Sequence, residues 1–353
     1  MRKLKAALAP LALMALLTKA PVSSAETTAK AETTAKAETT AKAETTAKAE
    51  THAMEEAAPP SGKVALTFDD LPGLTIFADQ PWVDYLNTKL LLGLKRHHLP
   101  AIGFVNEGKF DEIVRDHQIA NVQKWLDAGN NLGNHTFSHE SPNDLGAAGY
   151  IADIAKGEPV TRAMLAAKHK PLSWFRHPYL ETGFPEAEKK QIDDWLSAHG
   201  YRVAPVTIDA DDWEFAEPYE YALAHHEPEK VERVRHEYLA YTERTIAWYQ
   251  RASQALFGRQ IAFVILLHDT RLNADNIDEL AAILKRRNLK AVSLETAMKD
   301  PAYRNGDPYV GRDGIDWIER WSDLLHKNLP WDSWQDVPKA IEEEYDRNNK
   351  DRH

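Results

Sequence analysis

The chain has 353 residues, 43% of them hydrophobic and 9% aromatic, enough apolar side chain for a sizeable core in one large domain or two ordinary ones. Its formal charge of -11 argues against a nucleic-acid partner, which calls for a basic footprint. The absence of cysteine excludes a disulfide framework and any thiolate metal site, so metal chemistry would have to use histidine and carboxylate.

The N-terminal "MRKLKAALAPLALMALLTKAPVSSAE" places Arg2, Lys3 and Lys5 before an apolar run from Ala6 to Leu17, then small residues ending at Ala25. This is the pattern of a cleaved secretory signal over 1–25, and it predicts a periplasmic or secreted protein. The run falls short of the roughly 20 apolar residues that a membrane span needs, and no other segment is long and apolar enough. "AETTAK" then occurs four times in succession across 25–48. A six-residue period is too short for a solenoid unit, and almost nothing in it can be buried. The stretch 26–60 therefore reads as a low-complexity linker ended by Pro59 and Pro60.

From Lys63 onward, short apolar runs alternate with segments of helical spacing. The strand-like runs are "KVALTFD", "AIGFV", "NNLGNH", "LSWFRHP", "RVAPVTID", "IAFVILLHD" and "LKAVSL". Between most of them lie "WVDYLNTKLLLGLKRHH", "IANVQKWLDAG", "IADIAKGEPVTRAMLAAK", "EAEKKQIDDWLSAHG" and "NIDELAAILKRRN". Such alternation implies a parallel sheet. The polar candidates collect at strand ends. Asp69 and Asp70 end the first, His135 and His139 follow the third, and Arg176 follows the fourth. Asp209 to Asp212 end the fifth, and His268 and Asp269 end the sixth. In a closed parallel barrel those ends converge on one face, whereas an open sheet spreads them along a line, so a barrel-like arrangement is expected. Two histidines four apart can point at one metal ion, but among 15 histidines the pair alone is a weak signal and needs a third ligand.

Five motifs supply the context. "TFDD" at 67–70, "HTFSH" at 135–139, "RHPY" at 176–179, "DADDW" at 209–213 and "LLHD" at 266–269 occur in that order. Together they resemble the motifs of the polysaccharide deacetylase (NodB-homology) family, carbohydrate esterase family four, from about Lys63 to about Asp300. The resemblance implies an α/β fold, a distorted (β/α)7 barrel of TIM-barrel-like form. It implies metal-dependent removal of acetyl groups from an N-acetylated glycan. Carried over motif by motif, it implies Asp70, His135 and His139 as ligands of a divalent metal, zinc foremost. Asp69 becomes the general base, held by Arg176, and the Tyr179 backbone N–H the oxyanion donor. His268 becomes the general acid, oriented and charged by Asp212, with Trp213 and Leu266 in the substrate pocket.

Two physical expectations follow. Neighbouring residues of a regular strand face opposite sides, so Asp69 and Asp70 can serve one centre only where the strand ends and bends. A guanidinium beside Asp69 is expected to lower its pKa by about 1–3 units. The catalytic domain is expected over 61–300, with a helical insertion at about 214–258 and a C-terminal helical extension over 301–353. In the insertion, Val231, Val234, Tyr238, Tyr241, Trp248, Ala252 and Leu256 fall at helical spacing and should pack on the barrel. Trp317, Trp321, Trp331 and Trp334 of the extension are expected to pack there too.

Two departures stand out: Leu71 occupies a position where the family usually has glycine, and "LETG" follows "RHPY" in place of an immediate glycine. The same residues would also serve an O-deacetylase such as an acetylxylan esterase. A non-catalytic glycan-binding barrel would be expected to have lost the base, the acid or a ligand, and none is lost.

Overall fold

The computed structural model describes residues 62–350; the expected signal and linker lie outside these residues. The strands are β1 (Gly62–Leu71), β2 (Ala101–Val105), β3 (Asn131–Asn134), β4 (Trp174–Phe175), β5 (Arg202–Val203), β6 (Ile208–Asp209), β7 (Ala262–His268) and β8 (Leu289–Ala291). All pair in parallel, in the order β5-β4-β3-β2-β1-β7-β6, with β8 added to β1. β1 lies at the centre because it is apolar on both faces; only Lys63 of its ten residues is exposed. β7 takes one edge along Lys63–Asp69. The other edge is shared, β8 beside Gly62–Val64 and β2 beside Leu66–Leu71.

The sheet curls into an incomplete (β/α) barrel, with one difference from the expected seven strands. "RVAPVTID" forms two short strands, β5 and β6, because Pro205 has no N–H to give to a ladder. The Ala204 N–H donates to Phe175 O and the Thr207 N–H to Val264 O, so the chain passes from the edge of β4 to the edge of β7. Among the described residues no ladder joins β5 to β6. A segment far along the chain meets this seam, where the Trp317 N–H donates to Val206 O at 2.8 Å.

The helices that follow the strands begin with α1 (Gln80–Arg96), α2 (Arg115–Asp127), α3 (Pro142–Lys156), α4 (Pro159–Ala167) and α5 (Glu186–Ala198). Next come α6 (Asp212–Ala224), α7 (Pro228–Phe257), α8 (Arg271–Asp275), α9 (Ile277–Arg286), α10 (Leu294–Ala297), α11 (Trp317–Leu325) and α12 (Lys339–Lys350). The expected single helix over "IADIAKGEPVTRAMLAAK" is two. Gly157 caps α3 and Pro159 opens α4, where a missing N–H costs nothing. Buried Glu107 accepts the Val160 and Thr161 N–H groups at 3.2 and 2.7 Å. A side chain at Gly157 would lie 2.5 Å from the Thr136 backbone, so glycine lets α3 end directly against the turn that carries the two histidines.

Along α7, Val234, Tyr238, Tyr241, Trp248, Ala252 and Leu256 are buried and Val231 packs against the same core, so the stripe lies on the barrel as expected. Trp317 and Trp321 are buried, and the Trp331 and Trp334 rings lie 5.0 and 4.8 Å from Trp248. The Trp248 indole N–H donates to Pro330 O at 3.0 Å, which fixes the C-terminal segment to α7. Trp248→Ala is expected to destabilise the fold by about 3–5 kcal/mol, the range for a buried aromatic truncation. Urea unfolding would measure it; a loss below about 1 kcal/mol would mean that this cluster contributes little. Among the described residues no helix is long and apolar enough to cross a membrane.

Candidate active site

β1 ends in the bend that the Asp69–Asp70 pair requires. Its register with β2 shifts between Phe68 and Leu71, and Asp70 adopts φ 66°, so the alternation of faces is broken at the strand's last residues. Asp69 Oδ2 then lies 3.7 Å from His135 Nε2, and Asp70 Oδ1 lies 3.6 Å from His139 Nε2. The Asp69 carbonyl in this bend is tied to the residue after β7, the Asp269 N–H donating to Asp69 O at 3.0 Å.

The histidine pair sits on a turn. Asn134 Oδ1 accepts the Thr136 N–H, Thr136 Oγ1 accepts the His139 N–H, and Asp153 Oδ2 accepts the Phe137 and Ser138 N–H groups. Thr136 and His139 both have positive φ, which folds the turn so that the two rings meet edge to face at 4.9 Å. His135 Nδ1 lies 2.8 Å from Arg176 O. A carbonyl only accepts, so Nδ1 carries the proton and Nε2 presents its lone pair to the site.

These residues fit a divalent ion. One ligand atom each from Asp70, His135 and His139 lies within 4.8 Å of the others. The 3.6 Å between Asp70 Oδ1 and His139 Nε2 is too long for a hydrogen bond and close to the roughly 3.3 Å edge of a tetrahedron with zinc–ligand bonds of about 2.0–2.1 Å. Burial draws the pKa of each histidine down to about 4, so both rings are neutral at pH 7, the state that binds metal. Burial pushes Asp70 up, but His139, Lys109, His135 and His268 together outweigh it and hold the carboxyl below the usual aspartate range.

Arg176 is fully buried and reaches Asp69 through Nη1 at 3.1 and 3.4 Å. Its remaining donors are fixed by Ala204 O and Thr67 Oγ1 at 2.9 and 3.0 Å. The expected lowering of the Asp69 pKa does not occur. With 2% of the residue exposed, desolvation raises it more than Arg176 lowers it. A raised carboxylate pKa lies nearer to neutral pH, which suits proton abstraction.

His268 ends β7 with Nδ1 2.7 Å from Asp212 Oδ1, and its backbone N–H donates to the second Asp212 oxygen at 2.8 Å. Burial alone would lower its pKa; Asp212, then Asp70 and Asp69, reverse this and raise it to about 9. Asp269, buried beside it, is pushed up to about 8 by desolvation.

Tyr179 lies in a single 3₁₀ turn, Pro178–Leu180, with φ 56°. Its ring is 58% exposed and packs edge-on against His139 at 4.6 Å. Leu266 is buried in β7, where it pairs with Thr67 and Asp209. Trp213 is brought instead to the C-terminal helix, its ring 5.0 Å from that of Tyr345. The Asp211 backbone N–H donates to Asp209 Oδ1 at 3.2 Å, and Tyr241 OH donates to Asp211 Oδ2 at 2.7 Å.

Two supporting residues were not singled out from the sequence. Asn273 donates to Asp212 Oδ2 at 2.5 Å and to His268 O at 2.8 Å. Thr67 accepts from Arg176. Thr67 stands two residues before Asp69, on the same strand face, which is a readable signal; Asn273 comes from α8 and carries none.

An incomplete (β/α) barrel with a carboxylate–His₂ group that could hold a cation, a salt-bridged aspartate and a carboxylate-backed histidine at its strand ends is thus the class that fold and site define. Residues 56–204 match the family model for polysaccharide deacetylase. The chain is 26% identical over 240 residues to a probable peptidoglycan-N-acetylglucosamine deacetylase of Arthroderma benhamiae, covering 68% of this chain and 45% of the relative. It is 29% identical over 154 residues to a peptidoglycan-N-acetylglucosamine deacetylase of Bacillus cereus, covering 43% and 46%. The chain therefore spans about half the length of these curated relatives. Among solved structures, a family 4 carbohydrate esterase from Streptomyces lividans in complex with acetate is 20% identical, with a TM-score of 0.43 over 67% of this chain and 95% of that one.

Proposed function

We propose that this chain is an extracytoplasmic, metal-dependent deacetylase that hydrolyses N-acetyl groups of amino sugars in a polysaccharide or oligosaccharide. The observation that carries the reading is electrostatic. A buried carboxylate of raised pKa and a partly buried histidine held at about 9 border the same Asp70–His135–His139 group, which could hold a cation. A carboxylate drawn nearer to neutral beside a histidine that keeps its proton fits a base and an acid. The names of the relatives support an N-acetylglucosamine-containing glycan, and the N-terminal signal pattern supports an extracytoplasmic location.

A divalent ion, zinc foremost, held by Asp70, His135 and His139 would polarise the acetyl carbonyl and make an attacking water more acidic. Asp69, aimed by Arg176, takes that water's proton. The Tyr179 N–H donates to the carbonyl oxygen as negative charge develops there. His268 has Nδ1 committed to Asp212, so it gives its Nε2 proton to the departing sugar nitrogen.

Acetate release across a panel of N- and O-acetylated glycans tests the reading, with turnover expected on the amides and a high-pH limb of kcat/KM near 9, where His268 loses its proton. Asp212→Asn removes the charge and nearly keeps the shape. It should lower the histidine pKa, move that limb to lower pH and cut turnover at neutral pH. Esters, with their better leaving group, should suffer less. An unmoved limb with near-normal turnover would show that the acid pair is misassigned.

A further inference from the structure

The rebuilt loop after "RHPY" is strained, and the C-terminal extension holds it. Tyr179 and Leu180 both adopt left-handed backbone, with φ 56° and 57°, and neither is glycine. Such backbone is strained in a residue with a side chain and persists only where its surroundings fix it. Arg320 of α11, buried to 1%, supplies the fixing. Its Nη2 donates to Leu180 O at 2.6 Å and its Nη1 lies 3.5 Å from Thr182 Oγ1. The guanidinium is itself anchored by Asp307 at 2.8 Å and by Ile315 O at 2.9 Å. From the same extension Gly314 approaches so closely that a side chain there would fall 1.6 Å from Tyr179 O.

Asp307, which anchors the guanidinium, borders a cavity of about 290 Å³ lined also by His177, Lys189, Trp317 and Trp321 among others. We propose that Arg320 is a positioning residue of this active site. It acts through the Leu180 carbonyl to hold the left-handed Tyr179 turn, and hence the Tyr179 N–H, in place. The proposal rests on the functional reading above for its kinetic consequence and on geometry alone for the brace.

Arg320→Lys keeps the charge beside Asp307 but loses the forked donors, and Gly314→Ala, at an exposed position, perturbs the other side of the loop. Both should lower kcat about 10-fold or more with KM within about twofold, the pattern of an interaction made in the transition state. Amide hydrogen exchange over 178–184 should quicken in both. Trp334→Ala, in the same extension but packed on Trp248, should lower stability and leave kcat unchanged. Unchanged kcat and exchange in the first two variants would overturn the proposal. So would an equal loss of kcat in Trp334→Ala, which would point to general loosening. If the unaltered protein releases no acetate from any glycan, the proposed function falls, and the exchange measurement still decides the brace.

Discussion

His135→Ala is expected to lose bound metal and acetate release together. His135 is the best-fixed of the three ligand residues. It is almost wholly buried, its ring is held by Arg176 O, and Nε2 has nowhere to point but the site. Losing it leaves one imidazole and one carboxylate, too few to hold a catalytic ion of the usual three-ligand kind. The affinity loss should exceed the roughly 10–100-fold typical of altering only a ligand's supporting partner. Metal content after dialysis, measured beside activity, checks this. Tight stoichiometric metal in the variant would remove His135 from the ligand set.

Asp69→Asn should separate the base from the ion. The amide retains an acceptor for Arg176 but has no negative charge with which to take a proton, so turnover should fall by about 10²–10⁴-fold while metal stays bound. Arg176 is fully buried and would lose its carboxylate, a change that costs buried ion pairs several kcal/mol. The rate must therefore be referred to the folded fraction, followed by circular dichroism. Full activity per folded molecule would rule out the base role.

The parts of this molecule legible from sequence are those where local chemistry and long-range geometry agree. The strands end where the polar motifs begin, so the sequence places Asp69, His135, Arg176 and His268 on one rim. The bend at Asp70 follows from the alternation of strand faces once the family resemblance assigns both aspartates to one centre. What stayed hidden depends on contacts between distant segments. The net rise in the Asp69 pKa reflects how completely β1 is covered, a quantity that no motif encodes. Pro205 breaks the fifth run, but only the positions of β4 and β7 determine that each half finds a different partner. Arg320 and Gly314 look like ordinary residues of a tryptophan-rich tail until that tail is found against the Tyr179 turn.

β1 carries both carboxylates, and its position also sets the order in which the molecule can assemble. It is the first strand of the domain to be synthesised, yet β7 and β8, which border its length on one edge and its start on the other, come about 200 residues later. Loops of that size must close before Asp69 and Asp70 are pinned, and the entropy of closing them is spent before the ladder returns any bonding. The helices that follow the early strands form from local contacts and have no such wait. The pairing that sets His268 beside Asp69 is thus a late product of folding, completed only when the two ends of the domain meet.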